Sequence, residues 1–148
     1  MNEPLFTSTP TLTDPVSGTR AWFFDEVCTA VEQTVGNMTI EVANFLTGPF
    51  EAEVQRRYVK QGKKVRFVHD WRSCVTYDSK ARELMINWGR VSRGHVAAVS
   101  VQLSKDASPF VRIAAATGIS LLRVTRMKIE LVEDLGPIVR ELLALSPS

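Results

Sequence analysis

The sequence has no long apolar run and few cysteines. No apolar stretch approaches the roughly 20 residues that cross a bilayer. The N-terminus, Met1-Asn2-Glu3-Pro4, lacks a basic start followed by an apolar segment. The two cysteines, Cys28 and Cys74, belong to no Cys-x-x-Cys pair. We therefore expect a cytoplasmic protein with no membrane segment, whose thiols are buried and free rather than paired.

An excess of one charge is also missing, and so are the loops that bind phosphate. The chain has 18 Lys plus Arg against 16 Asp plus Glu, so no overall field favours nucleic acid or an anionic membrane. It contains neither Gly-x-x-x-x-Gly-Lys-Ser/Thr nor Gly-x-Gly-x-x-Gly. We expect no cofactor and no nucleic-acid partner.

One local charge excess is present, a basic group around residues 56–66. Its members are Arg56, Arg57, Lys60, Lys63, Lys64 and Arg66. Glu53 lies four residues before Arg57, the spacing of a helical ion pair. We favour a solvated face over a docking site for an anionic partner, and no aromatic ladder supports single-stranded nucleic acid.

The 148 residues, 45% of them apolar, are enough for one domain with its own core. Residues 1–19 are rich in Thr, Ser and Pro and have little periodicity, so we expect a flexible N-terminal arm followed by a single domain over 20–148. For residues 20–27 the pattern does not decide between a short strand and a turn that docks Trp22 and Phe24.

The pattern after residue 28 predicts a hairpin and then alternating helices and strands. Thr29–Gln33 and Met38–Phe45 are rich in β-branched residues and flank Val35-Gly36-Asn37, which favours a hairpin. Thr47-Gly48-Pro49 is typical of a helix start, with Phe50, Val54 and Tyr58 as its apolar stripe.

Three strand–helix units follow. Strands are predicted at 64–71, 95–103 and 127–132. Asp78 and Ser108-Pro109 supply helix N-caps. The helix that follows Ser108 either ends at Gly118 or continues beyond it. The closing helix has Leu135, Ile138, Val139, Leu142 and Leu143 as its stripe. Because helical crossovers make the later strands parallel, we expect an α/β fold with a mixed sheet.

The densest polar constellation is His69-Asp70-Trp71-Arg72-Ser73-Cys74, at the carboxyl end of a predicted central strand, where open α/β sheets bind ligands. His69 could act as a base, or Cys74 as a nucleophile beside an imidazole. Adjacent strand positions point to opposite faces, however, which separates His69 from Asp70. His69 and His95 alone fall short of a zinc signature. The simplest alternative is a loop whose polar side chains bond the backbone while Trp71 packs.

The order of elements, Leu46-Thr47-Gly48, Val68-His69-Asp70 and the apolar strand from Val96 to Val101 together resemble a STAS domain of the SpoIIAA-like branch. The resemblance covers roughly residues 28–145. It implies a scaffold without a cofactor that binds a kinase or another signalling regulator, with an Asp at the end of the third strand. Some members are switched by phosphorylation of a serine at the start of the next helix. The branch is also similar in shape to lipid-binding Sec14-type domains.

Ser79, within Tyr77-Asp78-Ser79, is the only position that the resemblance matches to the phosphorylated serine of the family. A phosphate there would meet free backbone N–H groups at a helix N-terminus. The family continues with Ser/Thr-Gly after the serine, whereas Lys80 and Ala81 follow here. We favour a capping turn over a regulatory phosphoserine.

Three hypotheses about function remain. The first is a non-catalytic interaction module that binds a protein partner through helix faces and the 69–79 loop, with His69, Asp70, Trp71, Arg72, Tyr77 and Asp78 as contacts. The sequence does not decide whether the chain forms a homodimer. The second is a carrier of a small apolar ligand, with a cavity beneath the helices where Ala114-Ala115-Ala116 and Gly118 leave room. A hydrolase-like enzyme is third.

Overall fold

The structure, a computed structural model, describes residues 3–124 and 126–147. Six strands form one sheet: β1 (Leu12–Thr13), β2 (Arg20–Phe24), β3 (Thr29–Gln33), β4 (Val65–Trp71), β5 (Val96–Leu103) and β6 (Ile129–Leu131). The α-helices are α1 (Ile40–Phe45), α2 (Glu51–Arg57), α3 (Ser79–Ser92), α4 (Pro109–Arg123) and α5 (Gly136–Leu143). No helix among these residues is long and apolar enough to cross a membrane.

The strands lie in the sheet in chain order, β1 to β6. The pairs β1–β2 and β2–β3 are antiparallel, and β3 to β6 run parallel. Each parallel strand pairs with its predecessor through a helical crossover. Because such crossovers are right-handed, successive helices in this order cover the same face of the sheet. The predicted α/β fold with a mixed sheet is confirmed.

Alternation along the strands divides the apolar residues between two cores. On one face, Phe23, Ala30 and Phe67 pack beneath helices α1 to α4. On the other face, a smaller core contains Trp22 and Val68 and is closed by Phe6 from the N-terminal arm and by side chains of α5. The sheet is therefore covered on both sides, as its apolar strands require.

An N-terminal hairpin is present, but the predicted pairing of Thr29–Gln33 with Met38–Phe45 is wrong. β3 pairs with β2 instead, and Ile40–Phe45 is helical. Thr39 caps this helix by accepting a hydrogen bond from Val42 N at 3.3 Å. The buried positions 42, 43, 45 and 46 follow a helical period, which the β-branched content of the segment obscured.

The helix start predicted at Thr47-Gly48-Pro49 is also wrong, since these residues lie inside a helical run. A π-helical segment, Leu46–Phe50, joins α1 to α2. Pro49 has no N–H for an α-helical bond, and a π-bulge accommodates that loss. The predicted stripe of Phe50, Val54 and Tyr58 is buried.

The described part of the expected arm packs on the domain. Phe6 is 3% exposed and contacts the rings of Trp22 and Phe24 at centroid distances of 5.2 and 5.1 Å. Trp22 Nε1 donates to Ser8 O at 3.0 Å, and β1 pairs with β2. Residues 3–19 are thus part of the fold rather than a flexible arm; residues 1–2 lie outside the described range.

Most of the remaining predicted helix signals match the structure. Asp78 Oδ1 accepts hydrogen bonds from Lys80 N and Ala81 N, and Ser108 Oγ accepts from Val111 N. The helix that begins at Pro109 runs past Gly118 to Arg123. In the predicted stripe of the closing helix, Leu142 and the N-cap residue Leu135 are buried, whereas Leu143 is exposed, so its predicted place in the stripe is wrong.

Candidate functional site

A buried carboxylate lies at the carboxyl end of β3, on the face covered by α1 to α4. Glu32 is fully buried and pairs across the strands with His69 of β4. Its Oε1 contacts His69 Nδ1 at 2.9 Å and accepts a hydrogen bond from Trp71 Nε1, while Oε2 accepts from Thr34 Oγ1 at 3.0 Å. These donors satisfy an ionised carboxylate that would otherwise be costly to bury.

A second polar cluster lies on the opposite face of the same strands. Asp70 is fully buried and accepts two hydrogen bonds from the Arg72 guanidinium, whose Nε and Nη2 are each 2.8 Å from a carboxylate oxygen. Gln33 Nε2 also donates to Asp70 at 2.9 Å and to Glu3 O at 2.8 Å. The hydrogen bonds that Arg72 donates to Asp70 raise the pKa of Arg72. The cluster fixes the arm to the end of β4.

These positions separate the residues proposed for catalysis. His69 and Asp70 face opposite sides of the sheet and share no hydrogen bond, as the strand alternation predicts. Cys74 is buried, and its Sγ donates to Gly36 O at 3.2 Å rather than to an imidazole. Burial, with Glu32 and Asp70 nearby, raises the pKa of the Cys74 thiol. A thiol in that state is a poor nucleophile.

His95 lies elsewhere. Its Nε2 is 3.1 Å from Glu51 Oε1 at the start of α2, whereas His69 is held by Glu32. Within 3–124 and 126–147, no group of three or more His, Cys, Asp or Glu side chains is placed to hold a metal ion. The two histidines therefore belong to two separate His–Glu pairs.

An apolar cavity lies between the sheet and the helices α3 and α4. Its volume is about 90 Å³. The sheet supplies Phe67, His69 and Trp71 from β4 together with residues of β5 and β6, and the helices supply Met85, Trp88, Ala115, Gly118, Ile119 and Leu122 among others. At about 30 Å³ for each water in the liquid, such a volume is room for about three waters.

Glycines and alanine shape this cavity. A Cβ atom added to Gly89 would lie 2.6 Å from Leu122 Cδ2, so α3 and α4 approach closely there. Further along, Gly118 faces Ile86 with room for an ordinary contact at 3.7 Å. Ala115 and Gly118 line the cavity as the carrier hypothesis expected, while Ala116 is exposed. The side chain of Ala114 lies outside what the structure describes.

The cavity wall carries polar atoms without partners. Trp88 Nε1 is buried and has no hydrogen-bond partner among the described residues. Nε2 of His69 also has no hydrogen-bond partner among these residues, while Nδ1 of the same ring is bound by Glu32. The two rings lie edge to face, with centroids 6.1 Å apart. Unpaired polar atoms inside an apolar wall are rare and call for a partner.

The predicted contact residues of the 69–79 loop differ in how accessible they are. His69, Asp70 and Trp71 are buried, which places them out of reach of a protein partner at the surface. Tyr77 is partly buried against Trp71, at a centroid distance of 5.7 Å, and burial raises its pKa. Arg72 is partly exposed, and Asp78 and Ser79 are exposed at the start of α3.

The basic group around residues 56–66 is partly neutralised. Glu53 pairs with Arg57 at 2.9 Å, as predicted, and with Arg56 at 2.7 Å. Arg57 also contacts Asp25 at 3.1 Å, and Arg66 lies 3.5 Å from Glu141. The hydrogen bond from Arg56 is the main cause of the lowered pKa of Glu53.

Sequence reasoning missed Glu32 and the indole N–H of Trp88. The available signal was a carboxylate inside Thr29–Gln33, a strand whose five residues are all buried. A charged residue there needs a partner on another strand. The His69 of the predicted constellation is that partner.

No family model, no curated protein and no solved structure matches this chain.

Proposed function

We propose that this protein binds a small apolar ligand in the cavity beneath α3 and α4. The proposal rests on the cavity itself, about 90 Å³ of space lined by apolar side chains of the larger core. Protein interiors are otherwise close-packed, with few voids larger than a water molecule. The walls come from strands and helices, so the space is formed before a ligand enters.

The energy of an empty cavity favours occupation. The lining is almost entirely apolar, so water in the cavity finds few hydrogen-bond partners. An apolar ligand makes the missing contacts and is itself removed from water. An engineered apolar cavity of about 150 Å³ binds benzene or xenon. The same physics supports a ligand here.

The test fills the cavity from α4. Ala115→Leu places a larger side chain on the lining, whereas Ala116→Leu makes the same chemical change at the next, exposed position. The fluorescent probe 1-N-phenylnaphthylamine is titrated into both variants and the parent chain. We expect at least about tenfold weaker binding in Ala115→Leu, since its side chain occupies the probe's space, and parent-like binding in Ala116→Leu.

Thermal melting of both variants is the control for folding. Leu is a good helix former, and filling a void tends to stabilise, so Ala115→Leu should melt no lower than the parent chain. Equal probe binding by the parent chain and both variants would place the probe elsewhere and contradict the proposal.

A second candidate is the protein-interaction module of STAS-like type. An exposed apolar row on α4 favours it: Ile113 is 65%, Leu121 46% and Val124 83% exposed. These residues recur at helical spacing on one face, and a row of this kind is typical of surfaces that meet a partner. Native mass spectrometry of the purified chain separates the candidates. A retained small mass supports the ligand carrier, and a second protein or a dimer supports the module.

A further inference from the structure

We propose that the cavity selects an apolar monocarboxylic acid, whose carboxyl group binds between the His69 and Trp88 side chains. This inference rests on the proposed ligand-binding function and adds the chemical class of the ligand. It starts from the two ring nitrogens in the wall that have no hydrogen-bond partner among the described residues.

The hydrogen-bonding roles of the two rings define the ligand. An indole N–H can only donate, so the ligand must offer Trp88 an acceptor. Glu32 accepts from His69 Nδ1–H, and this fixes the neutral imidazole as the tautomer whose Nε2 is an acceptor. The ligand must therefore accept one hydrogen bond and donate one. A carboxylic acid does both, as does an alcohol.

Charge distinguishes the acid from the alcohol. A carboxylic acid can transfer its proton to His69 Nε2 and become a carboxylate facing an imidazolium, and the Glu32 carboxylate behind the ring balances that positive charge. An alcohol has no comparable second form. A protonated amine fits neither form, since it offers Trp88 no lone pair.

Arg82 of α3 adds a positive charge to the cavity wall. Arg82 lines the cavity and has no carboxylate within 4.0 Å among the described residues. No Asp or Glu side chain of those residues lines the cavity. The charge of Arg82 disfavours a cationic ligand beside it, while the Glu32 carboxylate lies behind the His69 ring.

The experiment compares two isomers. Hexanoic acid and methyl pentanoate have the same atoms and nearly the same volume, but only the acid has an O–H or a carboxylate. Each is titrated against bound 1-N-phenylnaphthylamine, with hexylamine as the cationic counterpart. We expect the acid to displace the probe at a concentration at least about tenfold lower than the ester, and hexylamine to be weaker than both.

Two variants test the position of the carboxyl group. Trp88→Phe removes the indole N–H and leaves the Glu32 cluster intact, and His69→Asn removes Nε2 while keeping a donor near Glu32. Each should reduce the preference for acid over ester to about threefold or less. The affinity for methyl pentanoate reports any loss of packing. If His69→Asn fails to fold, Trp88→Phe decides alone.

The outcomes separate the two proposals. Acid and ester that displace the probe equally from the parent chain would overturn the acid class, while ligand binding stands. An acid preference that survives in Trp88→Phe would overturn the assigned position. Probe binding that is the same in Ala115→Leu and Ala116→Leu would instead refute the ligand-binding function on which this inference rests.

Discussion

Glu32 is the residue on which the polar end of the cavity depends. The carboxylate is fully buried and contacts His69 and Trp71 from β4 and Thr34 from the segment after β3. By accepting from Nδ1 it orients the imidazole and leaves Nε2 without a hydrogen-bond partner among the described residues. His69 is the group that faces a ligand, and Glu32 is its positioning residue.

We predict that Glu32→Gln lowers the free energy of unfolding by about 2 kcal/mol, because a neutral amide oxygen accepts weaker hydrogen bonds from His69 and Trp71 than a carboxylate does. Urea unfolding measures the loss. Glu41→Gln is the matched control, because Glu41 is exposed on α1 and the same substitution there should change stability by less than about 0.5 kcal/mol. Equal stability of the two variants would contradict the role given to Glu32.

Cys74 makes stability sensitive to alkaline pH. Burial raises the pKa of its thiol in the folded protein above the ordinary value of 9.0. Above pH 9 the unfolded chain therefore loses a proton that the folded chain keeps, and unfolding becomes easier. This contribution to stability is complete below pH 9 and declines as the pH rises, by at most about 1.4 kcal/mol per pH unit.

The prediction is that Cys74→Ala flattens the fall in unfolding free energy between pH 8.5 and 10. Cys28→Ala, at a half-buried position, is the control and should keep the slope of the parent chain. Chemical denaturation at each pH gives the three curves. Parallel curves for the parent chain and Cys74→Ala would show that the thiol titrates alike in the folded and unfolded states.

At the scale of elements, the N-terminal arm functions as a cover for the second face of the sheet. Phe6 fills the space above Trp22 and Phe24, beside the core that α5 closes. Ser, Thr and Pro dominate residues 3–19, so one aromatic side chain supplies much of the apolar contact of this segment. The arm is bound by Phe6, by its short strand β1 and by the hydrogen bonds that Gln33 and Trp22 donate to its backbone.

We predict that Phe6→Ala destabilises the fold by about 3 kcal/mol, the cost of truncating a buried aromatic residue. Val16→Ala, in the same arm and 74% exposed, should be neutral within about 0.5 kcal/mol. Guanidinium unfolding compares them. A neutral Phe6→Ala would mean that the arm contributes little to the second core.

Local signals predicted the elements that carry clear caps or long periodic runs. Asp78, Ser108 and the apolar run of β5 each specify a structure within a few residues of chain. The segment Met38–Phe45 failed because its β-branched residues favour a strand, while the Thr39 cap and the packing of α1 against α3 determine a helix. Tertiary contacts decided between two local preferences.

At the scale of the whole molecule, the sequential order of strands creates the site. β3 and β4 are separated by the helices α1 and α2, yet they pair so that Glu32 lies opposite His69 and Gln33 opposite Asp70. Sequence could place His69 and Asp70 on opposite faces but not supply their partners, because the register of parallel strands is set by the whole sheet. The resemblance to a STAS domain remains a prediction.

The cavity is likewise a property of the whole fold. Two helices that approach closely at Gly89 and Leu122 diverge over the sheet, and small residues on α4 leave the space between them open. The Ala115-Ala116 run and Gly118 suggested such room, but the depth of the cavity depends on side chains from β4, β5 and β6 together. Its apolar wall with one polar end is the basis of the functional account.

A crystal structure determined under xenon pressure tests the central claim most directly, because xenon enters apolar cavities without needing a polar anchor. The account predicts a xenon atom between the sheet and α3 and α4, in contact with Met85 and Ile119, and its absence from Ala115→Leu crystals. A packed core with no xenon at this position in the parent chain would contradict it.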